Sequence, residues 1–339
     1  MSRKDFDLNM DDKQMKALMK KAKRKHLLRN WIISICATII VLVGTFSIIV
    51  YFTQENFKKM DREVYALHGM QGPNMRFYGH TKLSMGVTGG TMMYSSYKNI
   101  AGQPVKWIDE IYEYSIWGVS RVNHNGNTHL EEEVSNKKDD FETMPDYNIQ
   151  TMQREMRFYL PFMKYVNYVN DLENIGEMKN KVAEVALSFD KAYTAEQVVQ
   201  MLPKDIRPAW FWVDTYDEKK GDSYVGLVDP ESGGVLNAEM SFDVFGFEGS
   251  HAKKMEDLQN DIKRNSEGFL SSMRLLTDDK SVIGFRDHYR KYYQEVKNIP
   301  PKDLPIYGIV VTGTTESLKQ LQGAPYVKAA VRGVMVDKQ

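Results

Sequence analysis

Cysteine is almost absent from these 339 residues. The only one, Cys36, sits inside an apolar run, so no intrachain disulfide can staple the fold. Net charge is absent too, because Lys plus Arg and Asp plus Glu both number 45. Familiar site signatures are also missing. There is no G-x-x-x-x-G-K-[ST], no H-E-x-x-H, no Cys-based zinc spacing and no G-x-S-x-G elbow. "GVTGGT" at 86–91 has glycines without the dinucleotide-binding spacing. His124 and His129 are two imidazoles in one polar loop, too few for a metal site. Glu131-Glu132-Glu133, Asp139-Asp140 and Asp278-Asp279 read as solvated charge runs. A Ser-His-Asp triad needs only proximity in space, so spacing does not speak to it. The expectation is a protein that is not an enzyme, with no catalytic residue, cofactor or metal.

Charge is missing altogether from "WIISICATIIVLVGTFSIIVYF", Trp31 to Phe52. As a helix these 22 residues extend roughly 33 Å at about 1.5 Å per residue, enough for a bilayer core of about 30 Å. Trp31 at one end and Tyr51 and Phe52 at the other suit the two interfaces. The run is too long for a cleaved signal peptide and lacks a small-residue cleavage site. Residues 31–52 therefore read as an uncleaved transmembrane helix. Residues 1–30 hold ten Lys/Arg against four Asp, so the remainder of the chain is net acidic. Lys20, Lys21, Lys23, Arg24, Lys25 and Arg29 lie directly before the span. By the positive-inside rule they set topology and meet anionic headgroups. The N-terminus is thus expected in the cytoplasm, and the acidic body outside, in a single-pass cell-membrane protein. An acidic body on the outer face argues against nucleic-acid binding.

The tail has a helical period. Met15, Leu18, Met19 and Ala22 fall on one face, with Asp11 and Asp12 at the first turn. That face is a candidate surface for a cytoplasmic partner; the plainer alternative is a basic juxtamembrane helix that only fixes orientation.

Beyond the span, residues 53–72 read as a polar stalk. From Pro73 to about Val122 apolar and polar residues alternate between glycines, so 53–148 is expected to be β-rich, with a polar loop at 123–140. Residues 149–339 read as α+β. The stretch 148–178 looks helical with an interruption at Pro161, and two further helices are expected over 252–276 and 285–297. Two segments share a plan: "VALSFDKAYTAEQVVQML" (185–202) and "YGIVVTGTTESLKQLQ" (307–322). Each is an apolar strand, a turn, then Thr-x-Glu opening a helix, with another strand after it. Thr194 and Thr314 read as helix N-caps, and Glu196 and Glu316 suit the first turns. A glutamate there repels phosphate, so the Gly313 turn is not a nucleotide cradle. Two β-α-β units suggest one pseudo-symmetric domain of ferredoxin-like type.

The residues also carry a resemblance. "KKAKRKHLLR" before the span, "GPNMRF", "YKNIAGQPV", "VAEVALSFDKAYTAEQV", "FWVDTY", "PIYGIVVTGTTESLKQL" and "VKAAVRGVM" are similar to the transmembrane sigma factor regulator family of Gram-positive bacteria, the type of the negative regulator of sigma-M. The resemblance runs from about residue 13 to 337. It implies an anti-sigma role: the cytoplasmic part holds an extracytoplasmic-function sigma factor or an accessory membrane protein, and the outer domain senses an envelope signal or partner. The alternative is an outer sensor or binding module that partners another membrane protein without touching the sigma factor.

Overall fold

A computed structural model describes residues 12–123, 126–130, 143–216, 228–230, 232–250, 252, 254–278, 281–283 and 286–339. Its first element is a single helix, α1 (Asp12–His68), of 57 residues and roughly 86 Å at about 1.5 Å per residue. Good helix formers carry the tail, and β-branched residues carry the apolar run. The run holds no charge or proline that would break the helix. Residues 12–48 are exposed on every side, and one stretch is long and apolar enough to cross a membrane.

The expected stalk is not a separate polar segment. Residues 53–68 continue α1, with Met60, Glu63, Val64, Ala66 and Leu67 buried. Met60, Val64 and Leu67 recur at helical spacing among charges that hide the pattern. The helix stops at Gly69, and the chain turns at Gly72 with φ of 86°, a conformation glycine adopts without strain.

Next comes an antiparallel meander: β1 (Met75–Met85), β2 (Gly89–Ile100), β3 (Gln103–Ser115) and β4 (Gly118–Arg121), in that spatial order. Alternate residues Met92 and Tyr94 on β2, and Tyr112 and Tyr114 on β3, pack with Met60 and Val64 of α1. The chain then runs through β5 (Asn127–Thr128), β6 (Tyr147–Asn148), β7 (Arg157–Phe158) and α2 (Leu172–Ile175).

The helix expected over 148–178 does not form, apart from the four residues of α2. Met156, Phe158 and Leu160 enter one apolar cluster, and Tyr159 enters another. That is the two-residue alternation of extended chain, read in the sequence as a helical face. The backbone N–H of Tyr159 donates to Ser188 Oγ at 2.9 Å, tying this segment to the sheet beneath it.

That sheet is built from β8 (Lys181–Tyr193), β9 (Pro208–Val213), β11 (Gly246–Glu248), β12 (Ile306–Thr314) and β13 (Val327–Asp337). Its order is β11-β9-β12-β8-β13 and every pairing is antiparallel. The helices α3 (Ala195–Met201) and α6 (Thr315–Leu318) follow β8 and β12 directly; α4 (Met255–Leu276) and α5 (Arg286–Val296) lie between, and β10 (Glu239–Met240) pairs with β7. The architecture is thus mixed α+β, with an apolar N-terminal helix and a sheet-rich body.

One face of the five-stranded sheet offers Ala183, Val185, Leu187 and Phe189 to α3, α4, α6 and the foot of α1; the other offers Ala186, Trp210 and Trp212 to Met156 and Phe158. The two sheets meet through Ile100, Trp107 and Ile108 against Val182 and Val334. A buried ion pair crosses that seam. Lys98 Nζ donates to Glu184 Oε1 at 2.7 Å and lies 3.9 Å from the Trp107 ring centre. Asn74 Nδ2 donates to Glu184 Oε2 at 2.9 Å, and Val334 N–H donates to Oε1 at 3.2 Å.

Candidate functional site

Two surfaces matter, one at each end of α1. At the N-terminal end, Met15, Leu18 and Met19 are 48%, 52% and 67% exposed, and Ala22 is exposed beside them. They lie along a helix face with nothing packed on it among the described residues. Lys20, Lys21, Lys23, Arg24, Lys25 and Arg29 are exposed over the following turns.

The other end is the foot of α1, buried between the two sheets and α4. Glu63 is 1% exposed. Its Oε2 accepts from Ser281 Oγ at 2.9 Å and from the N–H groups of Val282 and Ile283 at 2.8 and 3.0 Å. A carboxylate on the helix therefore holds the segment that follows α4. One turn on, His68 meets Glu110 of β3, and Glu110 also pairs with Arg121 of β4. The His68 ring lies on Phe77, centres 3.8 Å apart.

His68, Glu110, Arg121 and Ile283 border a cavity of about 220 Å³, whose lining also includes Asn148, Glu155 and Ser241. Its two buried carboxyls differ. Burial pushes Glu110 up, but His68 and Arg121 more than offset it and hold the carboxyl below the usual range. Burial pushes Glu155 up, and that effect prevails over Lys98 and the hydrogen bonds from Ser241 and Asn148. Ser241 Oγ donates at 2.6 Å and Asn148 Nδ2 at 2.9 Å. The cavity thus has one charge-paired carboxylate and one carboxyl inclined to keep its proton. Such a polar hollow suits a small polar ligand or ordered water.

The paired turns are structural in their geometry. Thr194 Oγ1 accepts from Gln197 N–H at 3.3 Å, and Gln197 Oε1 accepts from Thr194 N–H at 2.8 Å, a reciprocal capping box. Thr314 Oγ1 accepts from Ser317 N–H at 3.2 Å. Glu316 keeps its carboxyl below the usual range, first through a backbone N–H of its own residue and then through Thr314. His129 Nδ1 lies 3.1 Å from the Pro145 carbonyl oxygen, with Nε2 3.7 Å from Asp146. His124, Glu131–Glu133, Asp139, Asp140 and Asp279 fall outside the described residues. Among the described residues no group of three His, Cys, Asp or Glu is placed to hold a metal. The sequence reading missed Glu63, His68, Glu110 and Glu155. The signal for Glu63 was its place in the buried stripe with Met60, Val64 and Leu67. The other three come together only through the fold.

A sigma factor regulator N-terminal model matches residues 16–105, and a sigma factor regulator C-terminal model matches residues 172–334. The chain belongs to the sigma factor regulator family. No curated protein matches it, and no solved structure does. The N-terminal match of this sigma factor regulator runs from the exposed tail through the apolar run to the foot of α1 and the first two strands. Both surfaces described above therefore begin in one family unit. The C-terminal match takes in β8, β9, β11, β12 and most of β13 with α3 to α6.

Proposed function

We propose that this sigma factor regulator is a membrane-anchored negative regulator, of anti-sigma type, acting on an extracytoplasmic-function sigma factor. Residues 31–52 span the cell membrane once, the N-terminus is cytoplasmic, and the globular body lies outside. The observation that carries the reading is α1 itself: one unbroken helix joins an exposed apolar tail face to the core of the body. Met15, Leu18, Met19 and Ala22 dock the sigma factor, directly or with an accessory membrane protein. Lys20, Lys21, Lys23, Arg24, Lys25 and Arg29 lie along the anionic headgroups.

The body receives the envelope signal. The cavity at the foot of α1 is where occupancy can bias how the helix sits, since a ligand favours whichever arrangement it binds better. The strand order β9-β12-β8-β13, with a helix after β8 and after β12, supports a ferredoxin-like pseudo-symmetric scaffold for that task. In this reading Thr194 and Thr314 are scaffold caps, and the protein needs no catalytic group, cofactor, metal or nucleic-acid contact.

The test replaces residues 12–30 with an unrelated basic helix of equal charge, in cells carrying a reporter for the sigma regulon. Reporter output is expected to rise to the level seen without the gene. Unchanged repression refutes tail docking and favours a body that partners another membrane protein.

A further inference from the structure

Three exposed apolar side chains share one end of the four-stranded sheet. Met85, the last residue of β1, and Val87, in the β1–β2 turn, are 68% and 47% exposed, and Trp117, in the β3–β4 turn, is 92% exposed. The two turns are neighbours: Gly89 pairs with Ser115, and Ile116 N–H donates to the Thr88 carbonyl at 3.1 Å. Residues 83–91 and 114–120, which form this tip, contain no charged residue. In water a 92% exposed tryptophan on an uncharged tip is a poor use of a large apolar side chain.

The tip's place along α1 says what covers it. Asn56 Nδ2 donates to the Ser115 carbonyl at 2.8 Å, and the Phe57 and Tyr114 rings lie 5.0 Å apart. Five residues back along that strand Glu110 meets His68. So β3 runs back along the helix toward the apolar run, and the tip sits at its mouth. Asn56 is four residues beyond Phe52, about 6 Å along the axis. The headgroup layer on each side of a bilayer is roughly 5–7 Å deep. The tip is therefore level with the headgroups, at the height of Asn56 and Phe57 on the helix.

We infer that this tip is a second membrane contact: Met85, Val87 and Trp117 insert into the lipid interface of the leaflet next to Phe52. Tryptophan is the side chain that prefers this depth, with its ring at headgroup level. Two contacts, one spanning and one interfacial, fix the tilt of the body over the bilayer, which a single helix leaves free. The inference rests on α1 crossing the membrane.

The experiment uses the full chain in phosphatidylcholine vesicles, with acyl chains brominated near the glycerol end as a contact quencher of tryptophan. Trp107, Trp210 and Trp212 are buried within the protein, so Trp31→Phe leaves Trp117 as the exposed reporter and Trp117→Phe leaves Trp31. The doubly substituted chain gives the baseline. Trp117 emission is expected to be blue-shifted and lost in brominated relative to plain vesicles. Trp117 emission that stays red-shifted and is quenched by aqueous iodide overturns the inference, as does emission shielded from iodide yet untouched by bromine, which means a protein covers the tip. Quenching of Trp31 in the same vesicles shows that the span is inserted. Loss of both signals overturns the span itself, and loss of Trp117 quenching alone overturns only the tip.

Discussion

The two ends of α1 are the same helix in different company. From Asp12 to Ile48 every residue is exposed, whereas from Thr53 onward one face is sealed against two sheets and a second helix. Both ends carry an apolar stripe at helical spacing, Met15-Leu18-Met19-Ala22 and Met60-Val64-Leu67. A stripe in the sequence therefore specifies that something apolar covers it, and not what. At the foot the chain supplies its own cover; at the tail no described residue does.

That contrast can be broken hardest at the seam between the two sheets that cover the foot. Lys98→Met leaves Glu184 charged and unpaired at full burial, which is expected to cost about 3–5 kcal/mol. Urea unfolding in micelles measures it, and a loss under about 1 kcal/mol is the size of an exposed pair and rejects the buried one. Within the helix, Leu67→Ala should destabilise the body by about 2–5 kcal/mol. Leu42→Ala, on the exposed run, should leave body unfolding within about 0.5 kcal/mol of the parent. Equal losses at both positions would erase the distinction between the ends.

Glu63→Gln keeps the shape and removes the charge that three donors share. A loss of about 1–2 kcal/mol is expected, the gap between charge-assisted and neutral bonds. Amide exchange should quicken at Val282 and Ile283 first; uniform acceleration across the body contradicts a local clamp.

The gentlest probe is pH. Glu110 has a lowered pKa when folded, so its contribution is present above the usual carboxylate range and fades as pH falls through the folded value. Glu155 is raised, so its contribution is full below the usual range and fades as pH rises through the folded value. In unfolding free energy plotted against pH, Glu110→Gln should flatten the acid side and Glu155→Gln the opposite slope. The same change from both substitutions would mean that the two carboxyls share one environment.

Much of the scaffold was legible. The uncharged run, the strands after Pro73, the two strand-turn-helix segments and the helices over 252–276 and 285–297 announce themselves by period, turn chemistry and caps. Two places misled. In 53–68, Lys58, Lys59, Asp61 and Arg62 outweigh Met60, Val64 and Leu67 when polarity is averaged, although the period of the buried three was there to be read. In 156–160 the alternation at two-residue spacing is too short, in an apolar stretch, to stand out from the helix expected over 148–178. The cavity carboxyls were beyond reach for another reason. His68, Glu110 and Glu155 are far apart in sequence, and only the packing of the helix foot on the sheets brings them together.

The length of α1 has an angular consequence. Met15 and Met60, Met19 and Val64, and Ala22 and Leu67 are each forty-five residues apart. At about 3.6 residues per turn that is about twelve and a half turns. The tail stripe therefore faces the opposite azimuth from the stripe sealed in the core. The body's grip on the foot fixes the compass bearing of the tail stripe. Removing one residue from the intervening rod turns that bearing by about 100° while shortening it by only about 1.5 Å.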